Sequence, residues 1–383
     1  MRALFLTHTA APSGAELAMA RLVGALRDVE VTVVFTEDGP MAERMQACGV
    51  ETAVVRGRFN SRAMTIEGRT IRRLFVGFWG LIRLGWAVGN VARQAGSSIL
   101  IAESTKALVM GFMAARRARI PLVWQVHDRI SDEYFGRPLA TLLRLLGWAM
   151  SDGYIANSRS TLDTLITWRR RWLIAYPGTK IEATVDRPDQ RPPEKAVVAM
   201  VGRLTRWKGQ DVFLRALADV AVLPAEVYLV GGTHFDEEPF REEVRRLATH
   251  LDLPVTFTGH VDDPVRYMRH ADILVHCSVL AEPFGQVVVE GMNAGCAVIA
   301  TRPGGTTEIV QHGVNGLLVE AGDRAQLTGA LDYLIRNRDV RQRLSVAARL
   351  RARRFDLADS ARDVTEFLTS LLAASRRGQA SRA

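Results

Sequence analysis

Two glutamates, Glu282 and Glu290, close the segment Glu-Pro-Phe-Gly-Gln-Val-Val-Val-Glu at its two ends. Asp272–Ser278 ahead of it reads as a strand, and Gln286–Ala294 behind it reads as a helix closed by Gly295 at its C-terminus. Glu282 is therefore expected on a loop at the carboxyl end of a strand, with Glu290 about one turn into the next helix. The first turn of a helix leaves its N–H groups without intrahelical acceptors, so the turn between the glutamates can meet an anion. Carboxylates accept from sugar hydroxyls and backbone donors suit a diphosphate; this loop offers both. Two glutamates alone are more often solvated surface residues, so the reading depends on the rest of the chain.

A second segment supplies cations. Gly202-Arg-Leu-Thr-Arg-Trp-Lys-Gly-Gln-Asp211 follows the apolar run Ala196–Val201. Its glycines permit close backbone approach, Arg203 can grip phosphate oxygens with its fork, and Lys208 adds a compact charge. It is not a Walker A loop, which requires G-x-x-x-x-G-K-[ST]. Near the start, Ser13-Gly14-Ala15-Glu16 follows the first strand and opens a helix, so Gly14 can let the backbone meet a phosphate or sugar. The absence of G-x-G-x-x-G there argues against a nicotinamide or flavin site. His127 ends the strand Leu122–Val126, where it can donate to a substrate hydroxyl while Asp128 fixes its tautomer. Pro303-Gly-Gly-Thr-Thr-Glu308 is a further phosphate cradle in prospect. No D-x-D occurs and the histidines have no metal spacing, so no divalent cation is expected to hold a diphosphate.

The elements that must position these residues come in two runs. Strand-like segments Ala3–Thr7, Val31–Thr36, Thr52–Val55, Ser98–Ala102, Leu122–Val126 and Tyr154–Asn157 alternate with helical stretches such as Ala15–Arg27 and Ala107–Arg119. After Asp186–Lys195, whose three prolines and mixed charge read as a linker, the pattern restarts. The second run comprises Val197–Val201, Glu226–Val230, Val255–Thr258, Ile273–His276, Ala297–Ala300 and Leu317–Val319. Such alternation predicts α/β domains with parallel sheets covered by helices. Two of them in 383 residues suggest a ligand cleft at the strands' carboxyl ends. Three scattered cysteines favour a reducing compartment over a disulfide framework or zinc knuckle.

A net charge of +9 implies an anionic partner, and no nucleic-acid-binding signature accompanies it. Arginines 56, 58, 62, 69, 72 and 73 precede the apolar run Leu74–Ile82, which Arg83 interrupts before it could span a bilayer. At helical spacing Phe75, Phe78, Trp79, Ile82 and Trp86 share one face. That is the composition of an interfacial helix on an anionic membrane, and equally that of an amphipathic helix packed on its own domain.

Together these segments resemble glycosyltransferase family 4, the group 1 glycosyltransferases, which are retaining enzymes of the GT-B fold. The resemblance covers nearly the whole chain. It is most specific over Gly202–Gly209, Glu282–Glu290 and Gly304–Val319, where Gly313-Val-Asn-Gly-Leu-Leu-Val319 completes the familiar run. It implies two Rossmann-like domains facing a cleft: an N-terminal acceptor-binding domain over 1–180, a linker over 181–195, and a nucleotide-sugar-binding domain over 196–355. A C-terminal helix, 356–375, would cross back onto the first. By the same resemblance Arg203 and Lys208 neutralise the nucleotide diphosphate, with Gly202 beside them, and Glu290 accepts the ribose hydroxyls. Glu282, with backbone groups of Phe284, Gly285 and Gln286, holds the donor sugar; His127 lies near the sugar and Gly14 near the phosphates. The family usually carries two glycines in that first loop, where this chain has Ser13 before Gly14.

The implied reaction is metal-independent transfer from a UDP- or GDP-sugar, with no cofactor, to a lipid-linked or glycan acceptor in polysaccharide or glycolipid biosynthesis. The expected location is the cytoplasm, peripheral to the inner face of the cell membrane, with no nucleic acid as partner. A non-hydrolysing nucleotide-sugar epimerase of the same architecture is the alternative enzyme class. A membrane- or nucleic-acid-binding protein on the same scaffold is the alternative outside enzymes.

Overall fold

The computed structural model describes residues 1–57, 71–181, 196–233 and 237–380, with the backbone alone for 71–78 and 378–380. The chain forms two compact units: residues 1–178 together with the C-terminal segment from Leu357, and Thr179–Asp356. Of the expected 181–195 linker, residues 182–195 lie outside the described residues, as do Arg58, Arg62 and Arg69.

Unit 1 is built on the period of a strand. In β1 (Arg2–Thr7), Leu4 and Leu6 enter one apolar cluster while Ala3 and Phe5 enter the other. The same alternation runs through β2 (Glu30–Phe35), β4 (Ile99–Ala102), β5 (Leu122–Val126) and β6 (Gly153–Ala156). With β3 (Glu51–Val54) and β7 (Arg171–Ile174) they form an all-parallel sheet in the order β3-β2-β1-β4-β5-β6-β7. A sheet buried on both faces needs two helical layers. One contains the helices Ile71–Gln94, Thr105–Ala118 and Arg137–Met150. The other contains Gly14–Ala25, Pro40–Ala47 and the last helix, Leu357–Ala380, whose Ala361, Val364, Leu368 and Leu371 are buried there. β7 has no counterpart among the expected strands. It is an edge strand of four residues whose first two, Arg171 and Trp172, are exposed, so it lacks the continuous apolar run of its neighbours.

The Ile71–Gln94 helix packs on its own domain. Leu81, Leu84, Val88 and Ala92 face the core, and Gly85 and Gly89 press on the Thr105–Ala118 helix so closely that a Cβ would lie 2.4 Å from Met110 O and 2.7 Å from Arg117 Cβ. The other side of the helix leaves Trp79 and Trp86 each 52% exposed. The side chains of Arg72, Arg73, Phe75 and Phe78 lie outside the described residues.

Unit 2 repeats the architecture with six parallel strands: β8 (Val197–Val201), β9 (Glu226–Val230), β10 (Val255–Gly259), β11 (Ile273–Val275), β12 (Ala297–Arg302) and β13 (Leu317–Glu320). Their order is β10-β9-β8-β11-β12-β13. In both sheets the order reverses beside the first strand of the unit, between β1 and β4 and between β8 and β11. In doubly wound sheets ligands bind outside the strands' carboxyl ends at that reversal.

Candidate functional site

In unit 2 the polar groups beyond the ends of β11 and β12 converge on one oxygen. Glu282 Oε2 is 2.8 Å from Lys208 Nζ and 3.0 Å from His276 Nε2, and it accepts a 2.6 Å hydrogen bond from Ser278 Oγ. His276 lies past the end of β11 and its other ring nitrogen is 3.3 Å from Thr301 Oγ1 on β12. Thr301 is held in turn, its carbonyl accepting from Thr306 Oγ1 at 2.5 Å. Glu282 and His276 are buried. Burial works against charge on Glu282, but the Lys208 ammonium and His276 outweigh it and hold the carboxyl well below its usual range.

Backbone packing explains how Lys208 reaches this point. Gly209 has φ +72, and a Cβ there would lie 2.2 Å from Cys277 O. The Arg206–Lys208 turn therefore presses on the segment after β11, and Val279 N donates to Trp207 O at 2.8 Å. The Lys208 ammonium also lies 4.0 Å from the centre of the Trp207 ring. Gly202, at φ +152, leaves β8 in a conformation that favours glycine, and its carbonyl would be 2.1 Å from a Cβ on Gly231. Arg203 Nε lies 3.4 Å from Glu237 Oε1, and its carbonyl accepts from Gln210 Nε2 at 2.8 Å.

The Pro-Phe-Gly turn leads into the helix Gln286–Asn293. Gly285 sits before it at φ +99, and Gly295, at φ +86, follows it, as the spacing predicts. Phe284 is buried against Phe355, with ring centres 5.8 Å apart, so what it can present to a ligand is its backbone. Gln286 Nε2 donates to Glu290 Oε1 at 3.1 Å.

Gly304 and Gly305 are not the open phosphate cradle that their sequence suggests. Gly305 N donates to Glu282 O at 2.8 Å, and a Cβ on Gly304 would lie 2.6 Å from Glu282 N and O. Both glycines are spent on letting the β12 loop approach the Glu282 loop, and the helix that follows, Thr306–Ile309, is a single turn.

In unit 1 the corresponding end of the sheet holds acids and two histidines, of which His8, just past β1, has Nδ1 2.9 Å from Ser104 Oγ. His127, just past β5, lies with Nε2 2.8 Å from Glu103 Oε2, just past β4; both side chains are at least nine-tenths buried. Asn157 Nδ2 donates to the His127 carbonyl at 2.6 Å. Glu103 therefore holds the ring at Nε2: the parallel pairing of β4 and β5 sets the ends of the two strands side by side, with Glu103 level with Gln125, two residues before His127. Burial favours neutral forms, which raises Glu103 and opposes charge on His127. The carboxylate more than reverses this for the ring, so both groups lie above their ordinary values. Buried Glu16 adds negative potential to both. It also accepts from Ser13 Oγ, a Ser-x-x-Glu pairing at a helix start. Ser13 thus has a local role of its own. A Cβ on Gly14 would meet nothing within 4 Å, so the fold itself does not demand glycine there.

Sequence reasoning passed over Glu103, Glu16, His276, Ser278 and Thr301. Three had a readable signal: Glu103 is a charge directly after a four-residue apolar strand, and His276 and Ser278 alternate at a strand's end. No described group of His, Cys, Asp and Glu is arranged to hold a metal ion.

Two family descriptions match the chain almost end to end: Glycosyltransferase Family 4 over residues 12–182 and Glycosyl transferases group 1 over residues 183–351. The chain is 36% identical to a phosphatidyl-myo-inositol mannosyltransferase of Mycobacterium leprae over 151 residues, 39% of each chain. It is 27% identical to a D-inositol 3-phosphate glycosyltransferase of a Nocardioides species, over 67% of this chain and 64% of that protein. These matches thus span less than two thirds of either relative. Among solved structures, Anabaena Alr3699/HepE in complex with UDP and glucose superposes with a TM-score of 0.83 at 27% identity. The match covers 97% of this chain and 100% of that one; the same protein is also known with UDP-glucose.

Proposed function

This chain belongs to glycosyltransferase family 4, the group 1 glycosyltransferases, and we propose that it is a retaining hexosyltransferase that needs no metal ion. In this reading it moves a sugar from a UDP- or GDP-sugar to a lipid-linked or glycan acceptor. The observation that carries the reading is the Glu282 carboxylate held by Lys208, His276 and Ser278 just ahead of the Gln286–Asn293 helix. One small volume then offers an acceptor for sugar hydroxyls, a cation for a phosphate, and helix N–H groups for an anion.

Breaking the anomeric bond leaves positive charge on the sugar and negative charge on the departing diphosphate. Lys208 and Arg203 stabilise the diphosphate, in the role a divalent cation fills elsewhere. Because Lys208 rests on Glu282, its ammonium is already oriented before the phosphate charge develops. Glu282 and the backbone of Phe284, Gly285 and Gln286 hold the sugar. Glu290, steadied by Gln286, accepts from the ribose hydroxyls, and Gly202 gives the backbone room beside the phosphates. In unit 1, His127 donates to a substrate hydroxyl, and Gly14 leaves space for a ligand to approach the helix start. The acceptor attacks the face from which the nucleotide leaves, and the leaving phosphate takes its proton.

The UDP and UDP-glucose complexes of HepE support a uridine donor, and the mannosyltransferase relative supports a lipid-linked acceptor. No described helix is long and apolar enough to cross a membrane. The reading has the enzyme working from the cytoplasm at the inner face of the cell membrane, as a peripheral protein.

A panel of UDP- and GDP-sugars, read by thermal shift and then by turnover in excess chelator, tests this. One nucleotide sugar should raise the melting temperature, since a ligand of the native state stabilises it. Turnover should need an acceptor and survive the chelator. A sugar altered with no acceptor present would mean an epimerase, and activity restored only by Mg²⁺ or Mn²⁺ would refute the metal-free scheme.

A further inference from the structure

The two helical layers of unit 1 differ in charge. Helices Gly14–Ala25, Pro40–Ala47 and Leu357–Ala380 mix carboxylates with cations. Helices Ile71–Gln94, Thr105–Ala118 and Arg137–Met150, on the other face, carry nine Lys and Arg residues and not one Asp or Glu. The short helix Asp132–Phe135, packed on the same cluster, adds two acids, Asp132 and Glu133. At the β7 end of this basic layer the surface is also apolar. Trp168 is 60% exposed, Trp172 is 43% exposed, and Leu142 and Leu145 stand out from the Arg137–Met150 helix.

The tryptophans form an ordered group. Trp148 and Trp168 stack with centroids 6.1 Å apart, and Trp148 Nε1 donates to the Trp168 carbonyl at 3.0 Å. The Arg169 guanidinium lies 4.4 Å over Trp168, Arg170 lies 5.4 Å over Trp148, and Arg159 lies 5.2 Å over Trp172. Residues 159–172 contain four arginines against a single acid, Asp163. Nearby Asp132 is taken up by Arg144 at 2.9 Å.

We propose that this patch, built on Leu142, Leu145, Trp148, Trp168 and Trp172 with their stacked arginines, docks unit 1 on an anionic lipid bilayer. Charge selects an anionic partner. The exposed leucines select one with an apolar phase, because a nucleic acid or a soluble polyanion has nothing to cover them. Tryptophan rings with an apolar body and a polar edge settle at the headgroup level, and arginines stacked on them reach phosphates. The proposal adds to the lipid-acceptor reading, but vesicle binding is measured without donor or acceptor and stands or falls separately from nucleotide binding.

The test uses the full chain floated with vesicles of phosphatidylcholine alone or with about one third phosphatidylglycerol. Binding is expected to the anionic vesicles only and to weaken with salt. Replacing Arg159, Arg169 and Arg170 together with Ser should lower it roughly a hundredfold, with nucleotide affinity and melting temperature unchanged. Brominated lipid should quench Trp168, so the quenching should fall in Trp168→Phe. No binding at low salt, or binding that the triple replacement leaves intact, would overturn the proposal. So would a duplex oligonucleotide that binds more tightly through the same arginines, or self-association through the patch in the absence of lipid.

Discussion

The two units share a topology and set a buried carboxylate at the same place, past the ends of the strands where the order reverses, yet they treat it oppositely. In unit 2 Glu282 has a lysine and a histidine on one oxygen and is held ionised. In unit 1 Glu103 has one histidine and a second acid, Glu16, near it, and the pair keeps a proton to unusually high pH. In the proposed function the first environment would prepare a cation to meet a phosphate, and the second would keep a proton available to donate to a hydroxyl. Fold determines where the carboxylate stands, and neighbours on other strands determine what it can do.

The largest effect should come from a difference in how the units are closed. Unit 2 is one continuous stretch, whereas unit 1 takes Ala361, Val364, Leu368 and Leu371 from the end of the chain. Ending the chain at Asp356 should cost unit 1 on the order of 5 kcal/mol in lost apolar burial. Calorimetry should then show its transition gone or far lower; a truncated protein that melts like the full chain would contradict the assignment of that helix.

Next in size is Lys208→Ala, expected to lower kcat/KM by about a hundredfold or more, roughly 2.7 kcal/mol of transition-state stabilisation. Glu282 would keep His276 and Ser278, so unit 2 should fold with reduced stability. A double cycle with Glu282→Gln should show coupling, because the two side chains share one contact. Additive effects would mean that Lys208 acts on the phosphate independently of Glu282.

The smallest effects are those of pH, and they have opposite signs in the two units. Glu282, with its folded pKa depressed, contributes stability that is present above the ordinary glutamate value and is lost as pH falls through the lower folded value. His127, with its folded pKa raised, contributes stability that is present below the ordinary histidine value and is lost as pH rises through the higher folded one. Raised Glu103 moves unit 1 in the same direction. Urea melts across pH should therefore weaken unit 2 on the acid side and unit 1 on the alkaline side. Glu103→Gln should move the alkaline limb of activity to lower pH, with kcat changing more than KM. An unmoved limb would remove Glu103 as the group that positions His127.

Much of this was legible in the chain. Short apolar runs alternating with helical periods define parallel sheets covered on both faces, and twelve of the thirteen described strands follow from that pattern. The thirteenth, β7, is an exposed edge whose pairing with β6 supplies what its composition lacks. Local chemistry was legible too: Gly285 and Gly295 around the Glu290 helix, and Lys208 in a glycine-bounded turn. Tertiary structure alone decided partnership. Glu103 meets His127 because parallel register sets β4 against β5, and Lys208 meets Glu282 because Gly209 lets its turn press on the end of β11. Gly304 and Gly305 read as a phosphate cradle, yet their space is filled by the backbone of residues 282–284. A residue's type and its neighbours in sequence limit the chemistry it can perform. Its charge state and its partner depend also on groups tens of residues away, as Lys208 is from Glu282 and Glu103 from His127, and only the packing of the sheet brings those to within hydrogen-bond distance.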